Sequence, residues 1–406
     1  MKKVTFIHAA DLHLDSPMVG LNHLPKSLFK KLQESTFEAL TKIVDSALIH
    51  QVDFVIFAGD LFDGEDRSIR AQIRFRKEME RLAEKNISVY VIHGNHDHME
   101  GNWTQISMPD NVHIFSHEVE VMRFSKNEGV SVHLYGFSYP KRHVYNQMIN
   151  YYSKKQGADF HIGILHGNLE GSSDHDKYAP FSLNDLYEKD FDYWALGHIH
   201  KRNILNVKPP VVYPGNIQGR NRKETGSKGC YLIHLSELEA DFEFIETSSV
   251  IWGEKTIEAS SAASFQDIYL LCKNLIEENR KDNKGIILSL FIDNIYLLPQ
   301  EMKSILNGEL LETLQEEEKD EEEFVWVSKI SITEKINWNR DQLAKESDFF
   351  HELFTNTDQY DMLDGYISAL YNHPVAKKYL DPFSAEETIE LAKEAETLLV
   401  NLLFKQ

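Results

Sequence analysis

Short apolar runs alternate with longer amphipathic stretches through the first half of the chain. Residues 4–10, 52–58, 87–92, 160–165, 191–196 and 211–214 are rich in Val, Ile, Phe and Tyr, and each runs into a small or polar cluster. Runs of this length, bounded in this way, predict buried β-strands. Between the first three, Lys26–His50 carries Leu28, Leu32, Leu40, Ile43, Val44 and Ala47, and Ser68–Lys85 carries Ile69, Ile73, Met79 and Leu82. Those spacings gather apolar side chains on one face of a helix. The alternation predicts an α/β layered fold in which sheets pack between helices.

The pattern changes near residue 250. Helix Phe265–Glu278, strand Gly285–Ile292, helix Pro299–Leu314 and strand Phe324–Ile332 make a small αβ unit over 251–335, after the domain at 1–250. The second helix runs into Glu316–Glu323, where seven of eight residues are acidic, the composition of a solvated loop. From Trp338 onward the apolar positions are helical, and Ser384 with Glu387 forms a capping-box start for a helix over Ala385–Leu403. Residues 336–406 therefore read as a helical appendage.

With 42% hydrophobic and 26% charged residues in 406, the composition is that of a folded protein of two or three domains. No apolar run approaches the ~18 residues of a membrane-spanning helix, and Met1-Lys-Lys leads into a strand pattern, so a cytoplasmic protein is expected. Cys230 and Cys272 lie too far apart in sequence for a paired motif, which leaves out a thiolate metal cluster. The net charge of −21 is uneven: 28 basic against 33 acidic residues in 1–250, then 15 against 31 beyond. A polyanion is disfavoured as a partner of the second part and remains open for the first.

Ligand-type residues cluster just past five of the expected strands: Asp11-Leu-His13, Gly59-Asp60, Gly94-Asn95-His96-Asp97, His166-Gly-Asn168 and Gly197-His198-Ile-His200. Open α/β sheets place their sites at such strand ends. Imidazole, carboxylate and amide together suit a borderline-hard divalent ion such as manganese, iron or zinc. They outnumber one ion's needs, so two coordination spheres sharing a bridge are expected, the arrangement that polarises a phosphoryl oxygen and activates water.

These motifs, in this order, resemble those of the calcineurin-like metallophosphoesterase superfamily: Asp-x-His, Gly-Asp-x-x-Asp, Gly-Asn-His-Asp, a lone His and Gly-His-x-His. Within it, Phe6–Pro17, Ala58–Arg67, Tyr193–Arg202, Tyr213–Arg220 and Lys228–Cys230 resemble the SbcD-type DNA-repair exonucleases of the YhaO group. The resemblance implies one ion on Asp11, His13, Asp60 and His200 and another on Asp60, Asn95, His166 and His198, with Asp60 bridging and manganese the expected metal. It further implies that His96 acts on the scissile phosphate and that Asp97 orients its imidazole, while Asp63 supports the site without binding metal. The αβ unit over 251–335 sits where such nucleases carry a capping domain, and a coiled-coil ATPase of the SMC type and a second copy of the chain are the implied partners. Phe349, Phe350, Leu353, Phe354, Leu363, Tyr366 and Leu370 are candidate contacts or, equally, residues that pack against that cap.

Lys201, Arg202, Arg220, Arg222 and Lys223 follow the last histidines and could meet DNA phosphates or be an ordinary solvated loop. His8 and His161 fall inside strands and read as interior imidazoles, and His175 as part of a surface loop. The expected activity is hydrolysis of phosphodiesters, DNA from an end foremost. A nucleotide or small-molecule phosphoesterase, and a metal-stabilised subunit of an ATPase complex, are the alternatives.

Overall fold

A computed structural model describes residues 2–18, 21, 24–63, 67–100, 103–126, 129–171, 178–316, 318, 323–335, 338–358 and 385–404. His175, Leu363, Tyr366, Leu370 and the Ser384 cap lie outside the described residues. Residues 1–255, 269–290 and 303–330 group into one compact unit, and 256–268, 291–302 and 331–406 into another.

The first unit is built on two six-stranded sheets. One contains β1 (Lys3–Ala9), β2 (Phe54–Ala58), β3 (Ser88–Ile92), β4 (Val112–Ile114), β11 (Gly229–Ser236) and β12 (Ala240–Glu246), in the order β12-β11-β1-β2-β3-β4. The other contains β5 (Glu120–Lys126), β6 (Val130–Gly136), β7 (Phe160–His166), β8 (Tyr193–Gly197), β9 (Asn203–Val207) and β10 (Pro210–Tyr213), in the order β5-β6-β7-β8-β10-β9. Strands β1 to β4 run parallel, as do β6, β7, β8 and β10, so the carboxyl ends within each set share one edge.

Phe6, Phe54, Ile56, Ile162, Tyr193 and Ile233 fill the space between the sheets. Helices α1 (Lys26–Ile49) and α2 (Ile69–Ala83) cover the outer face of the first sheet with Phe37, Leu40, Ile43, Phe75, Met79 and Leu82. A shorter layer containing Ile149, Tyr152 and Leu186, the last from α3 (Leu183–Tyr187), covers the second sheet over Trp194 and Leu196. The result is helices outside and sheets inside, as the hydrophobic pattern predicts. β11, β12 and β5 pair antiparallel at the flanks.

Beyond residue 250 the chain forms β13 (Val250–Glu258), α4 (Phe265–Asn279), β14 (Gly285–Ile295), α5 (Pro299–Leu306), α6 (Glu309–Glu316) and β15 (Val325–Glu334), with the strands in sequential order in a third sheet. The single helix expected over Pro299–Leu314 is two, because Gly308 adopts φ 92°, a left-handed turn that ends α5. In the acidic run Glu318 is buried rather than solvated: it pairs with Arg280 at 2.6 Å and accepts the Val325 N–H. The second unit's helices include α7 (Arg340–Glu346), α8 (Asp348–Thr357) and the last helix, Ala385–Phe404. Among the described residues, no helix is long and apolar enough to cross a membrane.

Candidate metal centre

Each ligand-type cluster sits where its strand stops. Asp11 and His13 follow β1, Asp60 follows β2, Asn95 and His96 follow β3, His166 is the last residue of β7, and His198 and His200 follow β8. The turns that aim these side chains inward are strained. Asp11, His13, Asp60 and His198 have φ of 52°, 44°, 51° and 96°, a region that costs a residue with a Cβ about 1–3 kcal/mol. Cross-loop backbone bonds hold them there: Asp11 N–H donates to Gly59 O and His13 N–H to Asp60 O, at 3.1 and 3.0 Å. Close packing explains two glycines. A Cβ on Gly197 would lie 1.9 Å from the Ala58 carbonyl oxygen, and one on Gly59 2.3 Å from His166 Nδ1.

Two groups of donor atoms converge. In the first, His13 Nε2 lies 3.2 Å from His200 Nε2 and 3.8 Å from Asp60 Oδ2, and Asp11, His13 and His200 offer ligand atoms all within 4.8 Å of one another. In the second, Asn95 Oδ1 lies 3.0 Å from His166 Nε2 and 3.1 Å from His198 Nδ1, while Asp60 Oδ2 is 3.4 Å from His166 Nε2. Asp60 touches both. Two imidazole nitrogens pointed at each other beside buried carboxylates, with no thiolate near, form a donor set that fits divalent ions of the manganese, iron or zinc type. His13, Asp63 and His96 form a third such group.

Electrostatics follows from burial and pairing. Burial, helped by Arg220, pushes His13 down to about 3, which leaves a neutral ring able to donate a lone pair. Burial also opposes a charge on His166, but Asp60 and Asp11 outweigh it and lift that imidazole to about 9. Asp60 in turn is held well below the carboxylate range by His166 and His13 against the effect of burial. Any ion entering here must displace protons shared by this network.

The supporting groups differ from the expectation at Asp97, Asp63 and Glu224. Asp97 does not orient His96. Its carboxylate accepts the Leu61 and Gly94 N–H groups and lies 2.9 Å from His93 Nδ1, because three donors of its own loop and of the loop after β2 already surround it. Buried Arg67, stacked 4.1 Å from the Trp103 ring centroid, ties down the Asp97 and His98 carbonyls. Asp63 is the carboxylate beside His96, 3.3 Å from Nδ1, and it raises that imidazole's pKa. Asp63 also receives Ser16 Oγ and Arg220. Glu224, absent from the expected set, lies 2.7 Å from His200 Nδ1 and accepts the Arg220 N–H. It sits 24 residues beyond His200 inside a basic loop, where no spacing rule points to it.

The centre opens into a cleft of about 830 Å³ lined by Asp60, Asn95, His96, His198 and His200 and by the cations Arg142, Lys201, Lys223 and Lys228. The five expected phosphate contacts are thus dispersed. Lys201 and Lys223 face the cleft, Arg220 is the ion-paired strut between Asp63 and Glu224, and Arg202 stacks 3.6 Å from the Phe244 ring centroid. Arg222 is exposed and does not line the cleft. His8 and His161 are buried in the strands, bonded to Tyr193 and Tyr135.

Residues 4–202 match the calcineurin-like phosphoesterase family. The chain is 42% identical over 401 residues to the uncharacterized metallophosphoesterase YhaO of Bacillus subtilis (strain 168), spanning 98% of this chain and 97% of that protein. It is 24% identical over 321 residues to the DNA double-strand break repair protein Mre11 of Saccharolobus solfataricus, with 76% and 79% of the two chains covered. The corresponding protein of Methanocaldococcus jannaschii is 25% identical over 295 residues, covering 69% and 70%. The motifs, the paired sheets and these relatives agree that this chain belongs to the calcineurin-like metallophosphoesterase family.

Proposed function

We propose that this metallophosphoesterase cleaves the phosphodiester backbone of DNA from an end. The observation that carries this reading is the cleft itself, a carboxylate and imidazole floor walled by Arg142, Lys201, Lys223 and Lys228. A locally basic wall offsets the chain's net charge of −21 where a polyanion would enter. The Mre11 relatives are DNA double-strand break repair proteins by name, and the nuclease reading extends that to this chain.

In this reading Asp11, His13, Asp60 and His200 hold one divalent ion and Asp60, Asn95, His166 and His198 the other, both of them manganese. Two ions so held would supply Lewis acidity to the phosphoryl oxygens and lower the pKa of bound water. His96 delivers a proton to the departing oxygen. What supports this is Asp63 beside its Nδ1, which favours the protonated ring, and the position of His96 in the cleft wall. Arg142, Lys201, Lys223 and Lys228 position the strand.

End-labelled single- and double-stranded DNA and a nucleotide monoester, each incubated with manganese, test the reading. A ladder of shortened DNA is expected. Turnover of the monoester with intact DNA would overturn it in favour of a small-molecule phosphoesterase, the reading that the overall acidity favours.

We also propose residues 1–250 as the catalytic domain of a cytoplasmic protein, 251–335 as its αβ cap and 336–406 as the surface for an SMC-type ATPase or a second copy. Support comes from Phe349, exposed on α8, and from Leu398, Leu399 and Leu403, exposed on the last helix, whereas Phe354, also expected as a contact, is buried. Phe349→Glu with Leu398→Glu in the full chain should abolish such association in sedimentation and pull-down. Unchanged association would remove this surface from consideration.

A further inference from the structure

A file of aromatic rings leads from the protein surface into the metal centre. Tyr145 is 64% exposed and stacks on His143, centroids 5.8 Å apart and planes 10° apart. His143 stacks on Tyr178 at 5.4 Å and 21°, and the Tyr178 ring lies 5.0 Å from that of His198. Tyr178 and Arg142 both line the cleft.

The file is fixed in place. Ala179 N–H donates to the Val144 carbonyl at 2.6 Å, which joins the segment bearing Tyr145 and His143 to the one bearing Tyr178. Tyr178 N–H donates to Asn168 Oδ1, and the Asn168 N–H to the Tyr178 carbonyl, which anchor that segment beside His166. Val144, between His143 and Tyr145 in sequence, is buried in the core beside Tyr178 and Ala179.

An exposed tyrosine stacked, through His143, on a ring that lines the cleft together with Arg142 suits a nucleobase on the outer ring and its phosphates along the cationic cleft wall. A base paired inside a duplex has both faces covered by its neighbours and cannot use such a ring. We infer that Tyr145, backed by His143 and Tyr178, is a stacking platform for an exposed base of the strand that enters the centre. This inference rests on the DNA reading above.

The test uses the full chain loaded with manganese and two single-stranded oligonucleotides of equal length, one with all bases and one abasic near its end. The wild type is expected to show a KM about 10-fold lower for the base-bearing strand, the scale of one base–aromatic stack. Tyr145→Ala should raise that KM about 10-fold and erase the difference between the two strands, with kcat little changed, and Tyr145→Trp should restore it. A wild type that cleaves both strands with the same KM, or a Tyr145→Ala protein that keeps the wild-type preference, would overturn the platform while leaving the nuclease reading intact. A wild type that cleaves neither strand would also overturn the platform, and the nuclease reading would fall with it only if end-labelled double-stranded DNA stayed intact as well.

Discussion

Phe6, Phe54 and Tyr193 between the sheets and Asp11, His13 and Asp60 at their carboxyl edge are buried to the same degree, all within 1% of complete burial. They use that burial in opposite ways. Phe6 stacks on Phe54 at 5.0 Å and meets Tyr193 edge-on at 5.2 Å, so removal from water stabilises the fold directly. At the edge, left-handed backbone, facing imidazoles and buried carboxylates are each unfavourable, and they persist because the layers beneath leave them no other arrangement. The core determines whether the protein folds; the edge, whether it works.

Substitutions can break or sharpen that contrast. Asp60→Asn should have the largest effect, about 10³-fold or more in phosphodiester hydrolysis, since losing the shared carboxylate weakens both donor groups. Elemental analysis at saturating manganese should fall from two ions per chain, with circular dichroism unchanged. Phe54→Ala should do the reverse and lower stability by about 3–5 kcal/mol in denaturant titration while the surviving folded protein keeps its metal.

His96→Ala is expected to cost about 10²-fold or more in turnover with metal content preserved, and loss of metal along with activity would reclassify it as a ligand. Glu224→Ala, which frees His200 Nδ1, should weaken metal binding about 10–100-fold in a competition titration, with Glu224→Gln much milder because it keeps an acceptor there.

At neutral pH the smallest expected effect belongs to the core histidine His8. Burial pushes His8 down to about 3, so the folded protein holds it neutral while the unfolded chain takes up a proton below about 6.5. Its share of stability is present above pH 6.5 and is lost, at most about 1.4 kcal/mol per pH unit, as the pH falls toward 3. His8→Gln should flatten the fall of Tm between pH 6.5 and 4 relative to the wild type.

Much of this was legible in the order of residues. Parallel strands buried on both faces give long apolar runs, and every ligand-type cluster stands at or within a few residues of a strand end, so pattern and chemistry reinforce each other over short distances. Val130–Gly136 and Gly229–Ser236 are as apolar as the strands expected from that pattern and carry the same signal. Glu120–Lys126 and Ala240–Glu246 lie at sheet edges and each carry three charged residues, so their apolar signal is weak.

The sequence by itself determined the layer order, the donor types and their placement after β1, β2, β3, β7 and β8, because periodicity and turn chemistry act between near neighbours. The tertiary structure alone decided which polar atom meets which. Asp97 turns to His93 and backbone amides, Asp63 to His96 and Arg220, and Glu224 to His200. Five loops from two sheets meet at one edge, and each buried polar group there must find a partner from whatever side chain another loop delivers. That pairing is set by direction and distance in space, which no local spacing encodes.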